Sequence, residues 1–119
     1  MISSPAEKVT ITEHDGNTVL RPHGYLNGPL GEALDDACGE LLRSGKNKIV
    51  ISFGDTETMN TMGVASLVSV LEKAGRHGGS VCFSNLASAN RQVLDVLDLS
   101  RAVLIFDDEA AACEHLQKA

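Results

Sequence analysis

The chain has 119 residues, 43% hydrophobic and 22% charged, and its 10 Lys and Arg against 16 Asp and Glu give a formal net charge of −6. These proportions fit one compact domain with its own core rather than a chain disordered throughout, while the acidic balance argues against nucleic acid, whose binding needs clustered cations. No stretch approaches the roughly 20 consecutive apolar residues of a spanning helix, and Met1-Ile2-Ser3-Ser4-Pro5 lacks the layout of a signal peptide, so a cytoplasmic protein without a membrane segment is expected.

Residues 1–7 read as a loosely ordered tail on a single domain spanning 1–119. Val9 to Thr12 and Thr18 to Arg21 alternate in strand fashion around the turn signal Asp15-Gly16-Asn17, which predicts an opening hairpin. His23, Gly24 and Asn27-Gly28-Pro29 punctuate its exit. Ala33, Leu34, Ala37, Cys38, Leu41 and Leu42 keep one helical stripe that Gly45 ends. A strand from Ile49 to Phe53 follows, then a polar link from Gly54 to Asn60, and then a helix carrying Val64, Leu67, Val68, Leu71 and Ala74. His77-Gly78-Gly79 stops that helix. A strand over Ser80 to Ser84, a helix over Ser88 to Leu97 and a continuous apolar strand over Ala102 to Phe106 lead to a last helix capped by Asp107-Asp108-Glu109. The order predicts an α/β fold: a mixed sheet of about five strands, with about four helices mainly on one face.

With no Trp, one Tyr and three Phe the core must be aliphatic. Cys38, Cys82 and Cys113 are odd in number and lie inside predicted elements, so reduced, buried thiols are expected in place of a disulfide framework. Cys113 and His115 point in different directions on a helix, and His77 has no partner at metal-ligand spacing, so no metal or other cofactor is expected. Gly75-Arg76-His77-Gly78-Gly79 has the glycine content of a phosphate loop but follows a helix instead of opening one. No Gly-x-Ser-x-Gly elbow occurs, and no Cys stands in an evident nucleophilic context with a matched His, so enzymatic activity finds no support.

The chemistry concentrates where the strand Ile49 to Phe53 gives way, through the polar link, to the next helix. Asn60-Thr61-Met62-Gly63 sits at that junction, with Asn60 or Thr61 as N-cap, and first-turn N–H groups favour negative charge there. Ordinary capping explains the same residues, each worth about 1 kcal/mol. A phosphoryl group on Thr61 would add about −1.5 to −2 of charge without requiring the fold to change. Met59 and Met62 flank the hydroxyl; Met62 lies off the apolar stripe and offers adaptable contact surface, the alternative being gap-filling under the polar link. Asn27-Gly28-Pro29 either lines the same end of the sheet or is merely a turn.

The order of elements, with Gly24-Tyr25-Leu26-Asn27, Ile49 to Gly63, Val81-Cys82-Phe83-Ser84-Asn85 and the later Val93-Leu94, Leu97, Leu99, Phe106, Glu109-Ala110 and Leu116, resembles the STAS domain. Anti-sigma factor antagonists and the cytoplasmic tails of sulfate transporters share that fold. The antagonist branch implies a non-enzymatic, bacterial partner-switching protein in transcription regulation. Its partner is an anti-sigma factor that is also a serine-threonine protein kinase, which phosphorylates the hydroxyl falling on Thr61; a phosphatase reverses the step. The resemblance makes Asn27, Met59, Asn60, Thr61, Met62 and Gly63 the partner-binding residues. Three positions depart from the pattern: Asn60 and Asn27 replace usual Asp residues, and Thr61 replaces the commoner Ser. An amide is no general base, so help with proton removal is lost, yet two fewer negative charges ease the arrival of a phosphate. A constitutive, non-phosphorylated subunit of a lipid transporter or signalling scaffold is the alternative. A third, a small hydrolase or nucleotide-binding protein, requires a deep pocket with convergent polar groups.

Overall fold

In the computed structural model, which describes residues 8–118, the chain runs β1 (Val9–His14), β2 (Asn17–Pro22), β3 (Gly24–Leu26), α1 (Gly28–Arg43), β4 (Lys48–Ser52), β5 (Thr56–Met59), α2 (Thr61–Arg76), β6 (Ser80–Ser84), α3 (Ser88–Val96), β7 (Leu104–Phe106) and α4 (Glu109–Lys118). The tail expected over residues 1–7 lies outside the described residues. A mixed five-stranded sheet has the order β1-β2-β4-β6-β7, with β1 antiparallel to β2 and every other neighbour parallel.

The hairpin forms where expected because Asp15 and Gly16 both take positive φ, at 53° and 85°, the requirement of a two-residue turn that matches strand twist. The central strands β2 and β4 are buried on both faces, and β4 therefore carries the continuous apolar run Ile49-Val50-Ile51. Alternation sorts their side chains. Leu20, Ile49, Ile51 and Phe83 enter the main core with Leu34, Leu67 and Leu94 from α1, α2 and α3, and Phe53 meets Phe83 edge-on at 5.1 Å. Val19, Val50 and Cys82 point the other way, to Ala112 and Leu116 of α4. Three helices thus share one face, and α4 alone closes the reverse.

Two expectations need correction. The exit after the hairpin and the polar link each contain a short strand, β3 and β5, which pair in parallel as a separate two-stranded sheet with a register shift between Gly24 and Leu26. Three or four residues with an irregular register carry too little alternation to be visible in sequence. The continuous strand expected from Ala102 is shorter: Leu99–Arg101 forms a 3₁₀ turn entered through Asp98 at φ 61°, and ladder pairing starts only at Leu104.

Candidate functional site

Each of the first two helices begins at an asparagine. Asn27 caps α1, its Oδ1 accepting from the Leu30 N–H at 3.1 Å, and Asn60 caps α2, its Oδ1 accepting from the Gly63 N–H at 2.9 Å. The capping alternative left open above is settled for Asn60, and Thr61 is the first helical residue of α2. Both caps satisfy an otherwise orphan N–H, and the remaining N–H groups of each first turn lack intrahelical acceptors.

The two helix starts are held together by backbone and small residues. Asn60 donates its N–H to the Leu26 carbonyl at 3.0 Å, and Gly63 lies so close to that carbonyl that a Cβ there would overlap its oxygen and sit 2.7 Å from its carbon. A Cβ on Gly31 would likewise collide with Ser66, and Gly28 faces Met62. Gly63 is therefore required by close approach. Further along, Asp35 accepts from Ser69 Oγ at 2.9 Å and pairs with Lys73 at 3.0 Å. Residue pairs 28/62, 31/66 and 35/69 show that α1 and α2 run parallel, starting at the same level.

This geometry places the six expected site residues around one corner. Thr61 is exposed, Met62 is 63% exposed, Asn27 and Asn60 are half-buried, and Gly63 is buried under the Leu26 carbonyl. The methionines divide: Met62 faces solvent, whereas Met59 packs against the main core. Sequence reasoning missed Gly31 and Ser66, which set the helix spacing, and Tyr25, which is 49% exposed beside the corner. The signal for Gly31 was its spacing three residues from Gly28 on the helix edge.

Beside Asn27 lies an open cavity of about 420 Å³ lined by Lys8, His23, Tyr25, Asn27, Pro29 and Glu57, among others. On its margin the Thr10 hydroxyl and His23 Nε2 share a hydrogen bond of 2.5 Å, and His23 Nδ1 is 3.5 Å from Asp55 Oδ2. The order hydroxyl, imidazole, carboxylate is that of a nucleophile relay. Its members are solvent-facing, however, the Asp55 side chain being 57% exposed, and in high dielectric such coupling is weak.

The reverse face is organised by charge. Arg21 on β2 grips Glu109 on α4 at two points, Nε to Oε2 at 2.8 Å and Nη2 to Oε1 at 2.7 Å, while Nη1 donates to Thr12 on β1. The hydrogen bonds from Arg21 hold the Glu109 carboxyl below the usual carboxylate range, and Glu109 in turn raises the Arg21 guanidinium. The three cysteines are free thiols; Cys38 and Cys82 are buried as expected, but Cys113 is only half-buried. Burial pushes Cys38 up to about 12 and also raises Cys82 and Cys113, which keeps them protonated and poorly nucleophilic. Among the described residues, no helix is long and apolar enough to cross a membrane.

The STAS domain family model matches residues 8–112. The chain is 28% identical over 100 residues to the anti-sigma-F factor antagonist RsfB of Mycobacterium tuberculosis, covering 82% of this chain and 80% of that one. Its fold is similar to that of the Thermotoga maritima protein TM1081, with a TM-score of 0.85 at 22% identity over 97% of this chain and 99% of the other. It is similar also to unphosphorylated SpoIIAA, with a TM-score of 0.74 at 16% identity over 93% and 99%, and to the Bacillus protein in its phosphorylated form, at 0.71 and 16% over 91% and 98%.

Proposed function

The chain belongs to the STAS domain family, and on that premise we propose that it is a partner-switching module of the anti-sigma factor antagonist kind, regulated by phosphorylation at Thr61. It binds an anti-sigma factor that is also a serine-threonine kinase, through Asn27, Met59, Asn60, Thr61, Met62 and Gly63. Binding occupies the kinase and frees a sigma factor; phosphorylation ends the contact, and a phosphatase restores it. The domain contributes a surface and an acceptor hydroxyl, and the kinase supplies the chemistry.

One observation carries this reading: the Thr61 hydroxyl is exposed at the first position of a capped helix, beside the exposed thioether of Met62. A phosphate there sits at the positive end of the α2 dipole, so the free domain tolerates it. In a complex the same dianion is pressed into an apolar contact and stripped of water. Shifting an equilibrium from mostly bound to mostly free takes about 5.5 kcal/mol of difference between the two forms, which a stranded dianion can supply. Asn27 and Asn60 keep their capping role through Oδ1, as Asp would, but bring no negative charge to repel the incoming phosphoryl group. Proton removal from Thr61 then falls to the kinase.

The test is a titration of the cognate kinase with wild type, Thr61→Ala and Thr61→Glu. Thr61→Ala should bind as wild type, and Thr61→Glu should abolish binding, a loss of about 10⁴-fold. A Thr61→Glu variant that binds at wild-type affinity ends the reading. The two amides also favour a second reading, a constitutive subunit of a transporter or signalling scaffold. Incubation with the kinase and ATP separates the two: an intact mass raised by one phosphoryl group supports the switch, and an unchanged mass supports the constitutive subunit.

A further inference from the structure

Outside the corner itself, the exposed surfaces of the first two helices differ in character. On α2 the outward residues Thr61, Ala65, Val68 and Glu72 follow at spacings of four, three and four, so they form one line, with Met62 beside its start. Val68 is 41% exposed and Ala65 is exposed, which makes the first two turns of this line apolar. On α1 the outward residues Glu32, Asp36 and Glu40 repeat every fourth position; all three are exposed, and none has an ion-pair partner among the described residues, while exposed Arg43 ends the row with a cation one turn further on. Asp35, by contrast, turns inward to Ser69 and Lys73. Because α1 and α2 run parallel from a common level, the acidic row and the apolar row run in the same direction on the solvent side of the helix pair, with Asp35, Ser69 and Lys73 at the seam between them.

We propose that this two-row face is the docking surface for the kinase, and that it selects a partner surface on which apolar side chains are bordered by lysine or arginine. The proposal rests on the partner-switching reading and extends its interface from the Thr61 corner along both helices. Charge complementarity commits the face to that occupant. Three unpaired acids repel an anionic membrane, and a second copy of the chain would bring acidic rows towards acidic rows, so neither substitutes for a basic partner. The rows divide the work. The acids on α1 steer encounter and reject acidic surfaces, while Met62, Ala65 and Val68 provide the contact that is desolvated. Thr61 belongs to the apolar row, so its phosphate meets packed hydrocarbon and not the basic border, and a positively charged partner is compatible with release on phosphorylation.

The experiment titrates the full chain against each anti-sigma factor kinase of the source genome, purified singly, at 50 and 300 mM salt, with association and dissociation rates resolved. The binding kinase should lose affinity about tenfold across that salt range. The triple variant Glu32→Lys, Asp36→Lys, Glu40→Lys should bind about tenfold or more weaker, chiefly through a slower association rate, with its salt dependence flattened. Val68→Asp should lose about 30-fold, chiefly through faster dissociation, and the milder Val68→Ser should follow in the same direction. Glu114→Lys, a single reversal of the same kind on α4, should leave binding unchanged, and thermal melts of all variants confirm that they fold. A kinase that binds and is lost on Thr61→Glu, yet ignores the α1 triple variant and Val68→Asp, overturns this face and leaves the switch standing. If no kinase binds the wild type, both are overturned.

Discussion

At the starts of α1 and α2 the protein brings backbone against backbone through Gly63 and Gly31 and leaves a hydroxyl, a thioether and an unpaired acidic row in solvent, whereas on the reverse face α4 buries Ala112 and Leu116 against the sheet and is clamped by Arg21. Both regions are packed, but for different ends. The corner spends its close approach on fixing where two helix starts lie, so that the side chains on them face outward in a set arrangement. The reverse face supplies closure. The exposed side chains of the corner are those least explained by folding.

Breaking the corner should cost most. Gly63→Val places a Cβ into the Leu26 carbonyl, an obstacle that is backbone and cannot rotate away, so a loss of about 3 kcal/mol or more in urea unfolding is expected. Gly75→Ala, in the same helix with nothing within 4 Å of its new Cβ, should move the other way and stabilise by about 0.5–1 kcal/mol. Opposite signs for two glycines of one helix would show that close approach, not helix propensity, governs the corner.

The clamp on the reverse face is next in size and depends on pH. The folded value of Glu109 lies below its ordinary 4.5, so its contribution is present above that value and is lost as pH falls below 4.5 through the folded one. Glu109→Gln should cost about 1–2 kcal/mol at pH 7, and the gap from wild type should close as the acid range is entered. Binding of the kinase should be untouched. A gap constant from pH 7 to pH 3 would mean that packing, not charge, is what the substitution removes.

Cap removal is smaller. Asn60→Ala should destabilise by about 1 kcal/mol, since only the bond to the Gly63 N–H is lost, while Asn60→Asp should retain the cap and add a favourable charge to the helix start. The same pair sharpens the functional comparison. If the missing carboxylate matters to the phosphoryl transfer, Asn60→Asp changes the phosphorylation rate without changing stability by more than about 1 kcal/mol.

Much of this arrangement was legible in the chain. The stripes of α1 and α2, the Asp15-Gly16 turn and the helix start at Thr61 each follow from local rules that tertiary packing did not override. What was illegible is non-local. The pairing of β3 with β5 rests on two short polar segments over 30 residues apart, each too brief to show alternation, and it is this pairing that carries the Leu26 carbonyl to Gly63. The assignment of α4 to the reverse face depends on which alternate side chains of β2, β4 and β6 find a partner, and the strands, apolar on both faces, are silent on that point. Tyr25 was legible only as part of the Gly24-Tyr25-Leu26-Asn27 resemblance, because exposure of a single aromatic has no local signature.

The smallest expected effect on stability belongs to Thr61, the residue on which the proposed switch turns. Thr61→Glu introduces a carboxylate at the first helical position of α2, where the side chain is already in water and displaces no packed atom. The α2 dipole favours the charge, so unfolding free energy should change by no more than about 0.5 kcal/mol, towards greater stability, and the shift should fade as salt is raised. The same substitution is expected to abolish kinase binding. A separation of that kind, near zero on folding and large on association, is what distinguishes a surface switch from a structural cap. Should Thr61→Glu instead destabilise the domain by 2 kcal/mol or more, about the upper limit of lost N-cap interactions, the hydroxyl would belong to the folding machinery, and the contrast between an outward corner and a closed reverse face would dissolve.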